Sequence, residues 1–115
     1  MLIELLTKKY PGMRLWLAQR LSALVMAVYL VLFALMLVLK QPGDFEAWVA
    51  MMSPWWWRIF TLLFFVSLVM HAWLGIRDVF KDYIFNTGLR AFFQLVVDLL
   101  LIIYLGWAVV ILWSM

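Results

Sequence analysis

Three stretches of this chain, residues 15–39, 59–76 and 91–113, run apolar with only two charged side chains among them, Arg20 and Asp98. A helix crosses about 30 Å of hydrocarbon with roughly 20 mostly apolar residues. Within lipid every backbone N–H and C=O has to be satisfied inside its own segment, which leaves helices or closed barrels, and runs this long and continuous specify helices. The chain therefore reads as an all-α membrane protein with three transmembrane helices, over about 15–39, 59–80 and 90–113, forming a single transmembrane domain from 1 to 115. Its 70% hydrophobic and 13% charged residues lie far from the roughly 45–50% and 25% of a soluble domain. Van der Waals packing and small residues hold bundles of this kind together, so a chain this short calls for a helical partner. Ala23-x-x-x-Ala27 and Gly75 are the candidate points of close approach.

The charges cluster at the ends of these runs, so the net charge of +3 reports membrane orientation and carries no nucleic-acid signal. Lys8, Lys9, Arg14 and Arg20 surround the start of the first run, and Arg77, Lys81 and Arg90 the second connection; only Lys40 and Arg58 border the first connection. The positive-inside rule then puts the N-terminus and second connection in the cytoplasm and the C-terminus outside. Residues 1–10 show neither a cleavable signal nor an Arg- and Ser-rich transit segment, so insertion is expected to use the first spanning helix. In the first connection, Pro42-Gly43 signals a turn, a short interfacial helix is expected through Trp48, and Ser53-Pro54 restarts the chain. Trp55, Trp56 and Trp57 read as an aromatic belt at the membrane surface.

The chemistry rests on few residues. His71 is the one histidine, and ionisable side chains at membrane depth are functional-site candidates. It lies about 18 Å along the helix from Ile59, in the cytoplasmic half. His71, Gly75, Asp78 and Asp82 follow spacings of four, three and four, which puts them on one helix face. Two readings of His71 stand open. It ligates haem iron, with Gly75 leaving room for a flat macrocycle, or it makes an interhelical hydrogen bond to a hydroxyl or carbonyl with Gly75 as a packing notch. A bis-histidine iron would draw its second histidine from another chain. The absence of cysteine excludes disulfides, thiolate-held clusters and thioether-attached haem, so any haem is held non-covalently.

Arg20, flanked by Gln19 and Ser22, reaches either lipid phosphate or a buried anion such as a haem propionate, which a guanidinium pairs bidentately. Tyr83 offers a phenolic proton to a quinone carbonyl, with Asp82 beside it to orient water or a cation; a simple interfacial tyrosine is the alternative. Asp98 lies about 12 Å along the helix from Arg90. Deep carboxylates are costly unless neutral or paired, and Arg90, Gln94 and Asp98 recur every four residues as a polar stripe facing protein, where Asp98 is expected to bond a partner helix or to be protonated.

These residues resemble the hydrophobic membrane anchor of bacterial succinate dehydrogenase, respiratory complex II. The resemblance covers nearly the whole chain: Arg20-Leu21-Ser22-Ala23 opening the first helix, the acidic-aromatic connection from Asp44 to Trp48, and His71-Ala72-Trp73-Leu74-Gly75-Ile76 leading to Asp82-Tyr83. It implies a haem b shared with a cytochrome b subunit, with His71 as one axial ligand to the iron, Arg20 near the propionates, Gly75 packing against the ring, and Tyr83 with Asp82 at a ubiquinone site. It implies a multi-pass anchor of the bacterial inner membrane that performs no succinate chemistry itself. Such an anchor docks flavoprotein and iron–sulfur partners, which hold FAD and the clusters, and links the tricarboxylic acid cycle to the respiratory chain; trimers of the heterotetramer are a further expected assembly. Asp98 and the Arg77-Asp78 pair depart from the family pattern. A fumarate reductase anchor, a haem-free anchor of another respiratory enzyme and a small transporter or assembly subunit are the alternatives.

Overall fold

In the computed structural model of the chain, residues 12–115 are described; Lys8, Lys9 and the N-terminal targeting reading lie outside them. Four helices follow one another: α1 (Met13–Lys40), α2 (Phe45–Met52), α3 (Trp55–Tyr83) and α4 (Thr87–Ser114). The three long ones are each long and apolar enough to cross a membrane. At 1.5 Å per residue, 28 or 29 residues extend about 42–44 Å, well beyond the hydrocarbon thickness of about 30 Å. The helices therefore run past the apolar stretches that define them. α3 continues through the charged segment from Arg77 to Tyr83, because polar residues outside the hydrocarbon do not interrupt a helix unless a breaker is present.

Local chemistry sets each end. The residue before a proline is disfavoured in the α region, and α1 closes where Gln41 precedes Pro42. Gln41 takes a left-handed conformation, φ 43°, and donates its N–H to the Leu37 carbonyl at 2.9 Å. Asp44 then caps α2, its Oδ1 accepting from the Ala47 N–H at 2.8 Å. The short helix expected through Trp48 continues to Met52. Pro54 stands at the N-cap of α3, as the Ser53-Pro54 restart anticipates. Asn86 caps α4 by accepting from the Leu89 N–H at 3.0 Å.

α3 is the central helix, packed against α1 on one side and α4 on the other, in a slab 49 × 36 × 21 Å. Its tightest packing lies at the end remote from Tyr83, where Tyr29, Met51, Met52 and Trp57 are buried together. The Tyr29 ring stacks on Phe64 at 4.5 Å and on Trp57 at 5.0 Å. The Thr61 hydroxyl donates to the Trp57 carbonyl at 2.9 Å, so its oxygen receives the Tyr29 hydroxyl proton across the 2.8 Å that separates them. Trp57 Nε1 donates to Met52 Sδ at 3.3 Å.

Trp57 corrects the aromatic-belt expectation. Trp55 and Trp56 are 73% and 49% exposed, as belt residues are, but Trp57 is 2% exposed. Consecutive helical residues are rotated by about 100°, so three in a row cannot all face the headgroups. Ala23-x-x-x-Ala27 likewise does not form the seam between α1 and α3: Ala27 is exposed, and the buried positions of α1 are Ser22 and Tyr29.

Replacing Trp57 with alanine is expected to destabilise the protein by about 3–5 kcal/mol, the usual cost of emptying a large aromatic site, and Trp55→Ala by less than about 0.5 kcal/mol. Thermal melting of the detergent-solubilised protein, followed by circular dichroism, separates the two.

Candidate functional site

His71 faces α1. Its Nδ1 lies 3.2 Å from Ser22 Oγ, and the Ser22 hydroxyl itself donates to the Gln19 carbonyl one turn back, at 2.9 Å. A hydroxyl has one proton and two lone pairs. With that proton committed to Gln19, Ser22 Oγ meets His71 as an acceptor, and the proton between them belongs to Nδ1. This inventory places a proton on Nδ1 and leaves Nε2 without a hydrogen-bond partner among the described residues. Ser22 is 5% exposed, which shields its side of the contact from bulk solvent. The interhelical hydrogen bond and the ligand reading of His71 are thus compatible, since the bond occupies one nitrogen and leaves the other.

One turn further along α3, Gly75 meets the side chain of Gln19. A Cβ added at Gly75 would lie 3.7 Å from Gln19 Nε2, ordinary van der Waals contact. Gln19 Oε1 is buried without a hydrogen-bond partner, an unsatisfied acceptor beside a half-buried imidazole. Among the described residues no group of three or more His, Cys, Asp or Glu side chains converges. A metal at His71 would therefore need ligands from outside these side chains.

The polar collar around Arg20 divides. Gln19 and Ser22 turn toward α3, while Arg20 is exposed with its guanidinium 5.6 Å from the centre of the Trp16 ring, at cation–π range. The stripe from His71 to Asp82 divides as well: His71 and Gly75 are half-buried, Asp78 and Asp82 exposed. Tyr83, the last residue of α3, is 77% exposed. His71 and Tyr83 lie about 18 Å apart along one helix axis, so they are joined by a rigid rod and not gathered into one pocket.

On α4, Gln94 Nε2 donates to Asp98 Oδ1 at 2.8 Å. The deep carboxyl has its partner one turn away in its own helix. Arg90, Gln94 and Asp98 are each partly buried, as a stripe turned toward protein should be.

Sequence reasoning saw Ser22 and Gln19 only as flanks of Arg20. The signal that identifies them is spacing: Gln19, Ser22 and Tyr29 recur at three and seven residues on a helix that is otherwise nearly all apolar, which puts them on the face that meets α3.

Residues 4–111 match the family described as "Succinate dehydrogenase/Fumarate reductase transmembrane subunit". The chain is also similar to the succinate dehydrogenase hydrophobic membrane anchor subunit of Coxiella burnetii, 36% identical over 102 residues that cover 89% of each chain.

Because the chain has a single histidine, ¹⁵N-histidine labelling reads the site without overlap. In protein free of any bound metal, the neutral imidazole is expected to carry its proton on Nδ1. Ser22→Ala is expected to convert this into a mixture of tautomers, whereas Ser22→Thr preserves it. A wild-type spectrum with the proton on Nε2 would contradict the assignment.

Proposed function

This chain belongs to the succinate dehydrogenase/fumarate reductase transmembrane subunit family, and from that premise we propose that it helps bind haem b and ubiquinone in a succinate:ubiquinone oxidoreductase. It is a multi-pass inner-membrane anchor subunit of a larger complex. The partners proposed are a cytochrome b subunit beside the helices and iron–sulfur and flavoprotein subunits above them, with succinate oxidation confined to the flavoprotein.

The observation that carries the haem reading is the Ser22 contact at Nδ1 of His71, which leaves Nε2 without a hydrogen-bond partner among the described residues. Metal-ligating imidazoles characteristically donate their second ring N–H to an oxygen, which fixes orientation and raises basicity. Ser22 does this for His71. One turn from the imidazole, Gly75 adds no side chain of its own, and the Gln19 amide borders it, 3.7 Å from where a Cβ would lie. Bound there, haem b would supply a one-electron redox centre within the bilayer. Since this chain has one histidine, a second histidine ligand to the iron would come from the partner cytochrome b subunit. Arg20 lies outside the hydrogen-bonded seam with an exposed guanidinium, free to pair with a propionate while Trp16 supports it from behind.

Tyr83 closes α3 at the membrane boundary, exposed enough to meet a quinone head group. Its hydroxyl donates to a carbonyl oxygen of ubiquinone, orienting the ring and favouring the build-up of negative charge on that oxygen during reduction. The neighbouring Asp82 carboxylate accepts a hydrogen bond from water and holds it where protons are consumed. Electrons reach this position from the partner subunits.

A second reading, a haem-free anchor, draws on the same Ser22 to His71 bond as a purely structural pin. Visible spectra of the purified complex decide between them. His71→Ala is expected to abolish or strongly diminish reduced b-type bands, and bands that survive unchanged would sink the ligand assignment. Tyr83→Phe, which removes one hydrogen bond worth about 1–1.5 kcal/mol, is expected to lower quinone reduction about tenfold. Succinate oxidation by a soluble artificial acceptor should be unaffected. Equal losses in both assays would place the effect outside the quinone site.

A further inference from the structure

At the Tyr83 end of the molecule, where residues 84–86 join α3 to α4, lies a cleft of about 380 Å³ lined by Arg77, Lys81, Thr87, Arg90, Ala91 and Gln94. From this cleft we infer a binding site for the phosphate group of an anionic phospholipid, a site that takes no part in the haem or quinone chemistry.

Three cations line one cleft. Arg77 and Lys81 are four residues apart on α3, where like charges repel, and Arg90 approaches from α4. Among the described residues none of the three has a carboxylate oxygen within 4.0 Å. Asp78 is turned by about 100° from Arg77 and about 60° from Lys81, and Asp82 by about 100° from Lys81; neither lines the cleft. Asp98 lies one turn beyond Gln94, and its Oδ1 is engaged by the Gln94 amide. A gathering of positive charge without an internal counter-ion is stabilised by an external anion. Its volume falls within the range of about 300–1,000 Å³ usual for small-molecule sites.

Position selects the kind of anion. Arg77 and Lys81 follow the end of one apolar run at Ile76, and Arg90 precedes the start of the next at Ala91, so the cleft lies at headgroup depth. The guanidinium of Arg77 rests 5.6 Å from the centre of the Trp73 ring, which steadies it at that level. Beside the cleft the Phe80 and Phe93 rings stand 6.1 Å apart, and Val79, Phe92 and Leu95 are 51%, 59% and 57% exposed. A ligand with a phosphate head and acyl tails meets cations and apolar surface together. An acidic protein segment or a free phosphate uses only the first. Basic pockets between transmembrane helices recognise anionic headgroups in this way.

The test uses the whole complex, extracted in native-lipid nanodiscs and then exchanged into discs of phosphatidylcholine with or without phosphatidylglycerol. Arg77→Gln, Lys81→Gln, Arg90→Gln and the triple variant are compared with wild type, with Lys40→Gln at the opposite end as control. Native mass spectrometry is expected to find a retained anionic phospholipid that each single variant binds about fivefold more weakly, roughly the worth of one cation at a lipid surface, and that the triple variant loses. Phosphatidylglycerol should raise the melting temperature of wild type and the Lys40→Gln control, but not of the triple variant. Unchanged lipid retention in the variants overturns the proposal. So does equal stabilisation by inorganic phosphate alone, or a photocrosslinker at position 91 that captures an acidic segment of a partner subunit in place of lipid. The graded single variants keep the test decisive if the triple variant does not assemble.

Discussion

Two hydrogen-bond chains pin α1 to α3, and each depends on a hydroxyl having a single proton to give. At one pin His71 donates to Ser22, which donates to the Gln19 carbonyl; at the other Tyr29 donates to Thr61, which donates to the Trp57 carbonyl. The first begins on α3 and ends on the α1 backbone, the second the reverse. Inside a bilayer no water replaces a lost partner, so each pin fixes rotation as well as separation of the two helices. Apolar packing alone would tolerate many rotations, since lipid tails are as apolar as the side chains they would replace. The polar seam gives α1 and α3 a defined register, and that register aims His71.

The seam has an unequal distribution of packing. Stacked aromatics and two methionines surround the Tyr29 pin, whereas the His71 pin has a glycine and an unsatisfied amide oxygen beside it. Each end keeps one buried polar atom without a partner, Gln19 Oε1 near His71 and Arg58 Nε next to Trp57, so the ends differ in apolar packing and not in polar satisfaction.

The gross architecture was legible because lipid imposes it: a long apolar run with charges at its ends has few other fates. The placement of His71, Gly75, Asp78 and Asp82 on one helix followed from spacing by three and four. What the sequence hid was direction within a turn. Trp55, Trp56 and Trp57 look alike as letters, yet only Trp57 faces α1, because a helix rotates each residue away from its neighbour and no amphipathic pattern marks the inner face when both faces are apolar. Asp98 was similarly ambiguous. A carboxyl at depth asks for a partner, and where a partner helix or protonation was expected, Gln94 one turn away in the same helix donates to it. The cation cleft was split between residues 77–81 and 87–94, distant enough that only the packing of α3 against α4 brings them to one place.

α3 runs from Trp55 to Tyr83 as a single uninterrupted helix, and this couples two locations through counting. With no hinge between His71 and Tyr83, the azimuth of the phenol is dictated by the azimuth of the imidazole. Adding or deleting one residue anywhere between them would swing the tyrosine by about 100° around the helix and shift it by about 1.5 Å, although every side chain at both locations stayed the same. The twelve-residue interval therefore behaves like the tooth count of a gear, a heritable length under constraint even where the identities of the intervening residues are free to drift.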